Sequence, residues 1–390
     1  MRVLHVIPSI ALVHGGPSVA LPIMVRALVE LGVSIDVATT DDDGPGRRMN
    51  VPIAEPVRRD SGRYFFFPKQ TEFYKTSWAF RSWIRKTAGQ YDLIHIHALF
   101  SFTSVVAARA ARRKGMPYII RPVGVLNRWG MRNRRRLLKQ LSFRFVEAPV
   151  LRHAAAIHYT SEQERAEAQS IGVRTRSFVI PIGIDMDQLR DQDAGVDFLK
   201  SRPQLAGREI VLFLSRINQK KGLDPLLEAL STVVAQRPTV CLVVAGSGAQ
   251  PYIDELRSKA DQLGLNDHIV WSGFLEGREK TGAFSVARVF VLPSYSENFG
   301  IAAVEALAAG VPSVITEGVG VADEVQRAEA ALVVRPQAAE LAAAMLRILS
   351  DEELSRRLSA TAKAFAQERY SIKSMGESLI AMYQTIVGSK

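Results

Sequence analysis

The sequence predicts an α/β protein made of two consecutive open parallel sheets, and three observations lead there. Apolar runs of four to seven residues alternate with longer segments of helical period, the order strand, helix, strand that parallel sheets require. The alternation restarts at "EIVLFLSRI" after "GIDMDQLRDQDAGVD", which is polar and has no apolar period. Finally, 390 residues with 47% hydrophobic content suffice for two separate cores.

In the first series "RVLHVIP" is a strand, "SVALPIMVRALVELG" a helix and "SIDVATT" the next strand. An irregular polar segment follows, then strand "YDLIHIHA", helix "SVVAARAARRKG" and strand "PYIIRP". A basic helical stretch near 131–151 leads to "AAAIHYT", the helix "SEQERAEAQSIG" and "SFVIPIGID". The second series adds strands "EIVLFLSRI", "TVCLVVAGSG", "HIVWSGF", "FVLPSYS", "PSVITEG" and "AALVVRP", with helical segments between most of them. Three final helical segments have no strand after them and should pack outside, the last returning to the first domain. The expected domains are 1–185 together with 372–390, and 186–371.

Composition narrows the function. No run reaches the roughly 18–20 apolar residues of a membrane span. "MRVLHVIPSI" reads as a buried strand rather than a signal peptide. Cys241 is the only cysteine and reads as a core residue of a reducing compartment, so a cytoplasmic location is expected. The net charge of +11 is uneven: residues 1–185 hold 28 Lys and Arg against 14 Asp and Glu. Residues 104–152 alone contain thirteen basic residues and one acid, Glu147. Such a region attracts phosphates of nucleic acid, acidic headgroups or a lipid diphosphate, or is a solvated basic surface.

In open α/β sheets ligands bind beyond the carboxyl ends of the strands, so residues just after strands are the ones to inspect. "HGGPS", His14 to Ser18, lies between the first strand and helix, where paired glycines let backbone amides approach a phosphate, or simply make a tight turn. "GSGAQP" at 246–251 has two glycines of a dinucleotide fingerprint but Pro251 in place of the third, and no Walker A pattern occurs. "SRINQKKG" places Arg216 and Lys221 after a strand, a fork and a point charge suited to a diphosphate, or simply two surface cations. "SENFGIAAVEALAAG" puts Asn298 to Ile301 at a helix entrance that favours an anion, with Glu297 before it and Glu305 about one turn inside. Ligand hydroxyls would explain both carboxylates beside an anion site, whereas helix-end electrostatics alone would account for Glu305 but not for Glu297.

These fragments together resemble retaining glycosyltransferases of the GT-B fold, the GT4 group, whose signature E-x7-E is similar to Glu297 through Glu305. The resemblance extends over "GGPSVA", "YDLIHIHA", "PYIIRPVGVLNRW", "IHYTSEQE", "VIPIGID", "SRINQKKG", "LVVAGSG" and "VWSGF". It implies two Rossmann-like domains facing a cleft, the first for the acceptor and the second for the nucleotide-sugar donor. It implies that Arg216 and Lys221 neutralise the diphosphate with help from amides around Asn298, Phe299, Gly300 and Ile301. Glu305 would bind the ribose, and Glu297 would hold the donor sugar and stabilise its oxocarbenium-like transition state. Gly16 would let the first domain close over the diphosphate, and the base would sit near Gly273, Phe274 and Leu275. Val123 stands where the family often has His or Arg, and Ile182 where it often has Asn. Arg121, His95, His97 and His14 are then the remaining acceptor-side candidates.

The reading is a retaining transferase moving a hexose from a UDP-sugar, or a GDP-sugar, to a saccharide or lipid-linked saccharide in surface polysaccharide synthesis. "GVLNRW" is similar to members working on exopolysaccharide or capsule. No cofactor or metal is expected, Asp41 to Asp43 and Asp185 with Asp187 being read as polar loops. The basic region would meet an anionic membrane at its inner face or a lipid-linked acceptor diphosphate. Alternatives are a GT-B-like sugar-nucleotide epimerase and a non-enzymatic nucleic-acid or anion binder, although no helix-turn-helix, zinc or aromatic-rich signature supports the last.

Overall fold

The computed structural model of the chain describes residues 1–59, 61–126, 141–189, 191 and 193–388. The chain divides into two compact units, Met1–Gly183 with Ile372–Lys390, and Ile184–Ser371, a boundary two residues before the expected one.

The first unit holds an eight-stranded sheet: β1 (Arg2–Val6), β2 (Ser34–Thr40), β3 (Pro56–Arg59), β4 (Gly62–Phe67), β5 (Leu93–His97), β6 (Tyr118–Arg121), β7 (Ala156–Tyr159) and β8 (Ser177–Val179). Their spatial order is β3-β4-β2-β1-β5-β6-β7-β8. Every neighbouring pair is parallel except β3 with β4. Strands such as β5 and β6 are buried along their whole length, and a parallel sheet covered on both faces explains why they read as continuous apolar runs.

Two elements correct the sequence expectation of an irregular polar segment after residue 40. The β3–β4 hairpin occupies 56–67, and a helix, Trp78–Thr87, begins at Ser77, whose hydroxyl accepts from the Phe80 amide at 3.4 Å. The aromatic run "RYFFF" carried that strand signal, since Tyr64, Phe66 and Phe67 are fully buried. The linker segment differs too: Asp193–Lys200 is a helix with Phe198 buried. Residues 131–140 of the expected basic helix, and "GVLNRW" from Asn127 onward, lie outside the described residues; 148–152 is helical.

The second unit holds six parallel strands, β9 (Glu209–Leu214), β10 (Val240–Ala245), β11 (Ile269–Gly273), β12 (Ala287–Leu292), β13 (Ser313–Thr316) and β14 (Leu332–Val334). Their order is β11-β10-β9-β12-β13-β14. The chain therefore leaves β9 in one direction and returns to its other side at β12. That reversal opens a crevice at the carboxyl ends of β9 and β12. Cys241 lies buried in β10, as a core residue should.

The last helix, Ile372–Val387, belongs to the first unit, where Met375, Leu379, Met382, Tyr383 and Ile386 pack into one cluster with Leu21, Met24, Val25 and Leu28 of helix Gly16–Glu30. Helices Ala338–Ser350 and Glu352–Arg369 remain in the second unit. Among the described residues no helix is long and apolar enough to cross a membrane.

Because Leu379 is fully buried in that cluster, Leu379→Ala should destabilise the first unit by about 2–5 kcal/mol. Lys373→Ala, whose side chain is 80% exposed on the same helix, should change stability by less than about 0.5 kcal/mol. Urea unfolding of the two variants checks this; equal midpoints would remove the helix from the core.

Candidate active site

The crevice in the second unit is built from three loops. The first follows β9 and carries "SRINQKKG". Asn218 caps a single turn, Gln219–Lys221, by accepting from the Lys220 amide at 3.1 Å. Gly222 then takes φ +66, and a Cβ there would lie 2.1 Å from the Pro293 carbonyl oxygen at the end of β12. Only glycine lets the two strand ends approach this closely. The amide of Tyr295 donates to the Lys220 carbonyl at 2.8 Å and closes the junction.

The second loop, Ser294–Gly300, carries Glu297. Its backbone makes an isolated parallel bridge beyond the β12–β13 ladder: Glu297 pairs with Val319, donates to the Gly318 carbonyl at 2.8 Å and accepts from the Gly320 amide at 2.9 Å. The third loop, 317–321, is pressed so tightly against it that a Cβ on Gly320 would lie 2.0 Å from the Asn298 carbonyl oxygen. Phe299 is buried and packs edge-on against Tyr370, with ring centroids 5.8 Å apart. Gly300 precedes the helix Ile301–Ala309 and no side chain caps it, so the first amides of that helix face the loop with the positive end of the helix dipole.

These constraints bring Lys221 into contact with Glu297. Lys221 is buried while the Glu297 side chain is 25% exposed. Burial and the neighbouring Arg216 and Lys220 cations push the Lys221 ammonium down to about 7; the Glu297 carboxylate is the charge that opposes them. Arg216 is exposed on the same loop. Glu305, half-buried in the helix, is bound by Lys280 of helix Gly277–Val286 at 2.7 Å. Gly273 at the end of β11 has φ +70, Leu275 is buried and Phe274 is 64% exposed.

The glycines of "GSG" serve packing: a Cβ on Gly246 would lie 1.8 Å from the Ser215 carbonyl oxygen. They hold the Arg216 loop against β10, which accounts for the incomplete dinucleotide pattern. Lys280, Gly318 and Gly320 were not singled out from the sequence. The G-x-G spacing after β13 was the available signal for the last two; for Lys280 only its helix position offered one.

In the first unit, Gly16 is the first residue of its helix, after Gly15 at φ 77. His14 is 35% exposed and its Nε2 lies 2.7 Å from Asp42 Oδ2. Asp42 itself is no polar loop residue but a buried hub: Lys69 and Lys75 each reach it at 2.7 Å. Burial opposes its charge, yet the hydrogen bonds from Lys69, Lys75 and His14 hold its carboxyl down at about 2. Asp41 is buried beside Arg48. Val123 has φ 60, and the Gly124 amide next to it donates to Glu164 at 2.7 Å.

His95 and His97 fall on the same face of β5, and both are fully buried, as is Arg121. They form one cluster with His5, His158 and Tyr383. His5 and His97 share a hydrogen bond of 2.9 Å, and His95 bonds the Tyr383 hydroxyl at 2.8 Å. Burial and the Arg121 charge hold His5 and His158 down at about 3, and burial keeps His95 and His97 well below the usual imidazole range. The ring nitrogens of His5, His95 and His97 lie within 4.8 Å of one another, a ligand-like spacing. A cation among them would face the Arg121 guanidinium, which burial lowers only to about 10.

The family described as glycosyl transferases group 1 matches residues 197–365, and the glycosyl transferase 4-like domain matches 15–183. The chain is similar to 2-deoxystreptamine glucosyltransferase of Streptomyces kanamyceticus, 27% identical over 77% of this chain and 79% of that protein. It is 31% identical to the GDP-mannose-dependent alpha-(1-6)-phosphatidylinositol monomannoside mannosyltransferase of Mycobacterium tuberculosis over 48% of this chain, spanning half of that relative's length. Its fold matches HepE of Anabaena in complex with UDP and glucose, with a TM-score of 0.79, 19% identity, 99% of this chain and 100% of that one. It also matches sucrose-phosphate synthase of Thermosynechococcus elongatus, with a TM-score of 0.77 at 21% identity over all of both chains.

Gly222→Ala should destabilise the second unit by more than Gly207→Ala. Both glycines have positive φ, a cost of about 1–2 kcal/mol for alanine, but Gly207 has nothing within 4 Å of an added Cβ. Denaturant titration ranks the pair; equal losses would mean that the β9–β12 junction tolerates the added carbon.

Proposed function

The chain belongs to the group 1 glycosyl transferases and has the GT-B fold, and on that premise we propose that it is a retaining hexosyltransferase using a nucleotide sugar. The observation that carries the proposal is the convergence of Lys221, Glu297 and an uncapped helix entrance at one strand reversal.

Cleaving the bond between the anomeric carbon and the diphosphate oxygen leaves negative charge on the departing diphosphate. Lys221, Arg216 and the amides of the helix entrance are fixed opposite that charge and need not reorganise when it forms. Glu305 accepts from the ribose hydroxyls, with Lys280 holding its carboxylate in place. Glu297 accepts from hydroxyls of the donor sugar and faces the positive charge that develops on its ring. The base rests near Gly273, Phe274 and Leu275. Two cations and a helix dipole suffice to neutralise a diphosphate, so the proposed mechanism uses no metal ion. UDP is the favoured nucleotide, since the HepE structure that matches over the whole chain holds UDP; the mannosyltransferase relative, matched over about half its length, is GDP-mannose-dependent. The acceptor is a saccharide or lipid-linked saccharide of surface polysaccharide synthesis.

Glu297→Ala should lower transfer at least about 100-fold while UDP affinity, measured by calorimetry, stays within about threefold of wild type. Hydrolysis of the UDP-sugar by the wild-type chain should continue in EDTA. Unchanged turnover of the variant would remove Glu297 from the reaction, and loss of hydrolysis in EDTA would defeat the metal-free mechanism.

A lysine with a pKa of about 7 is mostly charged at pH 6 and mostly neutral at pH 8. A bound diphosphate stabilises the ammonium and raises that pKa. UDP binding should therefore take up close to one proton at pH 8, where the diphosphate is already fully ionised. Calorimetry in buffers of different ionisation enthalpy reads the uptake, and Lys221→Met should abolish it. The same uptake in that variant would assign the proton elsewhere.

A further inference from the structure

We infer that a pocket at the outer edge of the second unit's sheet binds a sugar phosphate and passes its occupancy to the Glu297 loop. The pocket lies beside β14, the edge strand, and has a volume of about 530 Å³. Cavities of roughly 300–1,000 Å³ hold small molecules. Two helices present one stripe each to it: Glu340, Ala344 and Arg347 on Ala338–Ser350, and Leu354, Arg357 and Leu358 on Glu352–Arg369. Residues three, four and seven apart share a helix face, so both guanidiniums border the same space. Among the described residues neither Arg347 nor Arg357 has an ion-pair partner. Paired arginine forks match the oxygens of a phosphate.

The rest of the lining selects the ligand. Leu332, Leu354 and Leu358 form an aliphatic floor on which the C–H face of a sugar ring can lie. None of the lining residues is aromatic, so nothing there stacks a nucleobase. Two carboxylates complete the wall. Glu340 is committed, since it accepts from the Arg335 amide at 2.9 Å and from the Arg335 guanidinium. Glu329 is exposed and has no side-chain partner among the described residues. Its backbone takes φ 52, a conformation a glutamate rarely adopts. A bare phosphate would meet the repulsion of this acid, whereas a sugar phosphate gives it hydroxyls to accept from.

Helix Ala322–Arg327 joins this pocket to the donor crevice. Its far end supplies Gln326 and, just beyond, Glu329 to the pocket wall. Six residues at 1.5 Å each make it about 9 Å long. Its near end follows directly on the loop 317–321, which has no slack: a Cβ on Gly318 would lie 2.5 Å from the Tyr295 carbonyl oxygen. Glu324, within the helix, accepts from the Tyr370 hydroxyl at 2.7 Å and from Arg369 Nε at 3.2 Å, and the Tyr370 ring packs on Phe299. A ligand that bridges Glu329 to Arg347 and Arg357 clamps this short helix to its neighbours. It thereby holds the 317–321 loop against the loop of Glu297, in the arrangement that a diphosphate meets. Linkage makes the effect mutual. The coupling rests on the donor reading of the crevice, while binding at the pocket does not.

Calorimetry of the full chain with glucose 6-phosphate tests the pocket, with inorganic phosphate and glucose as separate probes. Glucose 6-phosphate should bind at least about tenfold more tightly than either, and R347A/R357A should lose at least about tenfold of that affinity. R356A/K363A, which removes the same charge from exposed positions of Glu352–Arg369 outside the pocket, should keep it. With saturating glucose 6-phosphate, UDP should bind at least about fivefold more tightly. That gain should vanish in R347A/R357A, whose affinity for UDP alone stays within about twofold of wild type. Equal loss in the two double variants, or inorganic phosphate binding as tightly as the sugar phosphate, would overturn the site. Displacement of glucose 6-phosphate by UDP would move it to the donor crevice and equally defeat the pocket. A UDP affinity that stays level or falls would remove the coupling. A chain that binds no UDP would refute the donor reading, and the glucose 6-phosphate titration would still decide the pocket.

Discussion

The contact between Lys221 and Glu297 is the constraint around which the second unit is arranged. A buried lysine is costly unless a carboxylate or an anion faces it. The chain meets that cost where two parallel strands part, and every loop there is shaped to hold the pair. Gly222 brings the lysine turn against the end of β12, and Gly320 brings the third loop against the second. Burial, with the repulsion of Arg216 and Lys220, holds Lys221 down at about 7, while the Glu297 carboxylate in contact with it favours the ammonium. Under the proposed function an arriving diphosphate shares the ammonium and frees part of Glu297 for the sugar. A pair of fully exposed residues would lack this sensitivity, since water screens such charges.

The same logic separates the two acids of the E-x7-E stretch. Glu297 is fixed by backbone pairing to the loop after β13, whereas Glu305 is fixed by a side chain, Lys280, from another helix. One acid is therefore set rigidly beside the anion entrance, and the other is oriented by a partner that can move with it.

The architecture of the second unit and the positions of Arg216, Lys221, Glu297 and Glu305 at its strand and helix ends were legible because they follow local pattern. Apolar runs ended at the right strands, and Arg216, Lys221, Glu297 and Glu305 all lie within a few residues of strand or helix ends. The glycines after β13 were less legible, since their need arises from a neighbouring loop and not from their own neighbours in sequence. In the first unit the aromatic β4 strand was hidden in a segment dominated by polar residues on either side. The Asp42 hub was hidden because its cations lie 27 and 33 residues away. Spacing rules that work within a helix or strand carry no information over such distances.

The histidine cluster shows why long separation defeats sequence reading and also what it achieves. His95 and Tyr383 are 288 residues apart, yet their hydrogen bond spans 2.8 Å. The buried Arg121 guanidinium cannot be deprotonated cheaply, so the histidines around it must stay neutral, and neutral imidazoles each offer one donor and one acceptor. The Tyr383 hydroxyl enters that chain of bonds from the returning helix, which is therefore held by directional contacts as well as by Leu379 and its apolar neighbours. An apolar stripe alone could slide by one turn at small cost. A tyrosine that must meet His95 fixes the register of the last helix against the strand ends, and with it the point where the chain re-enters the first unit.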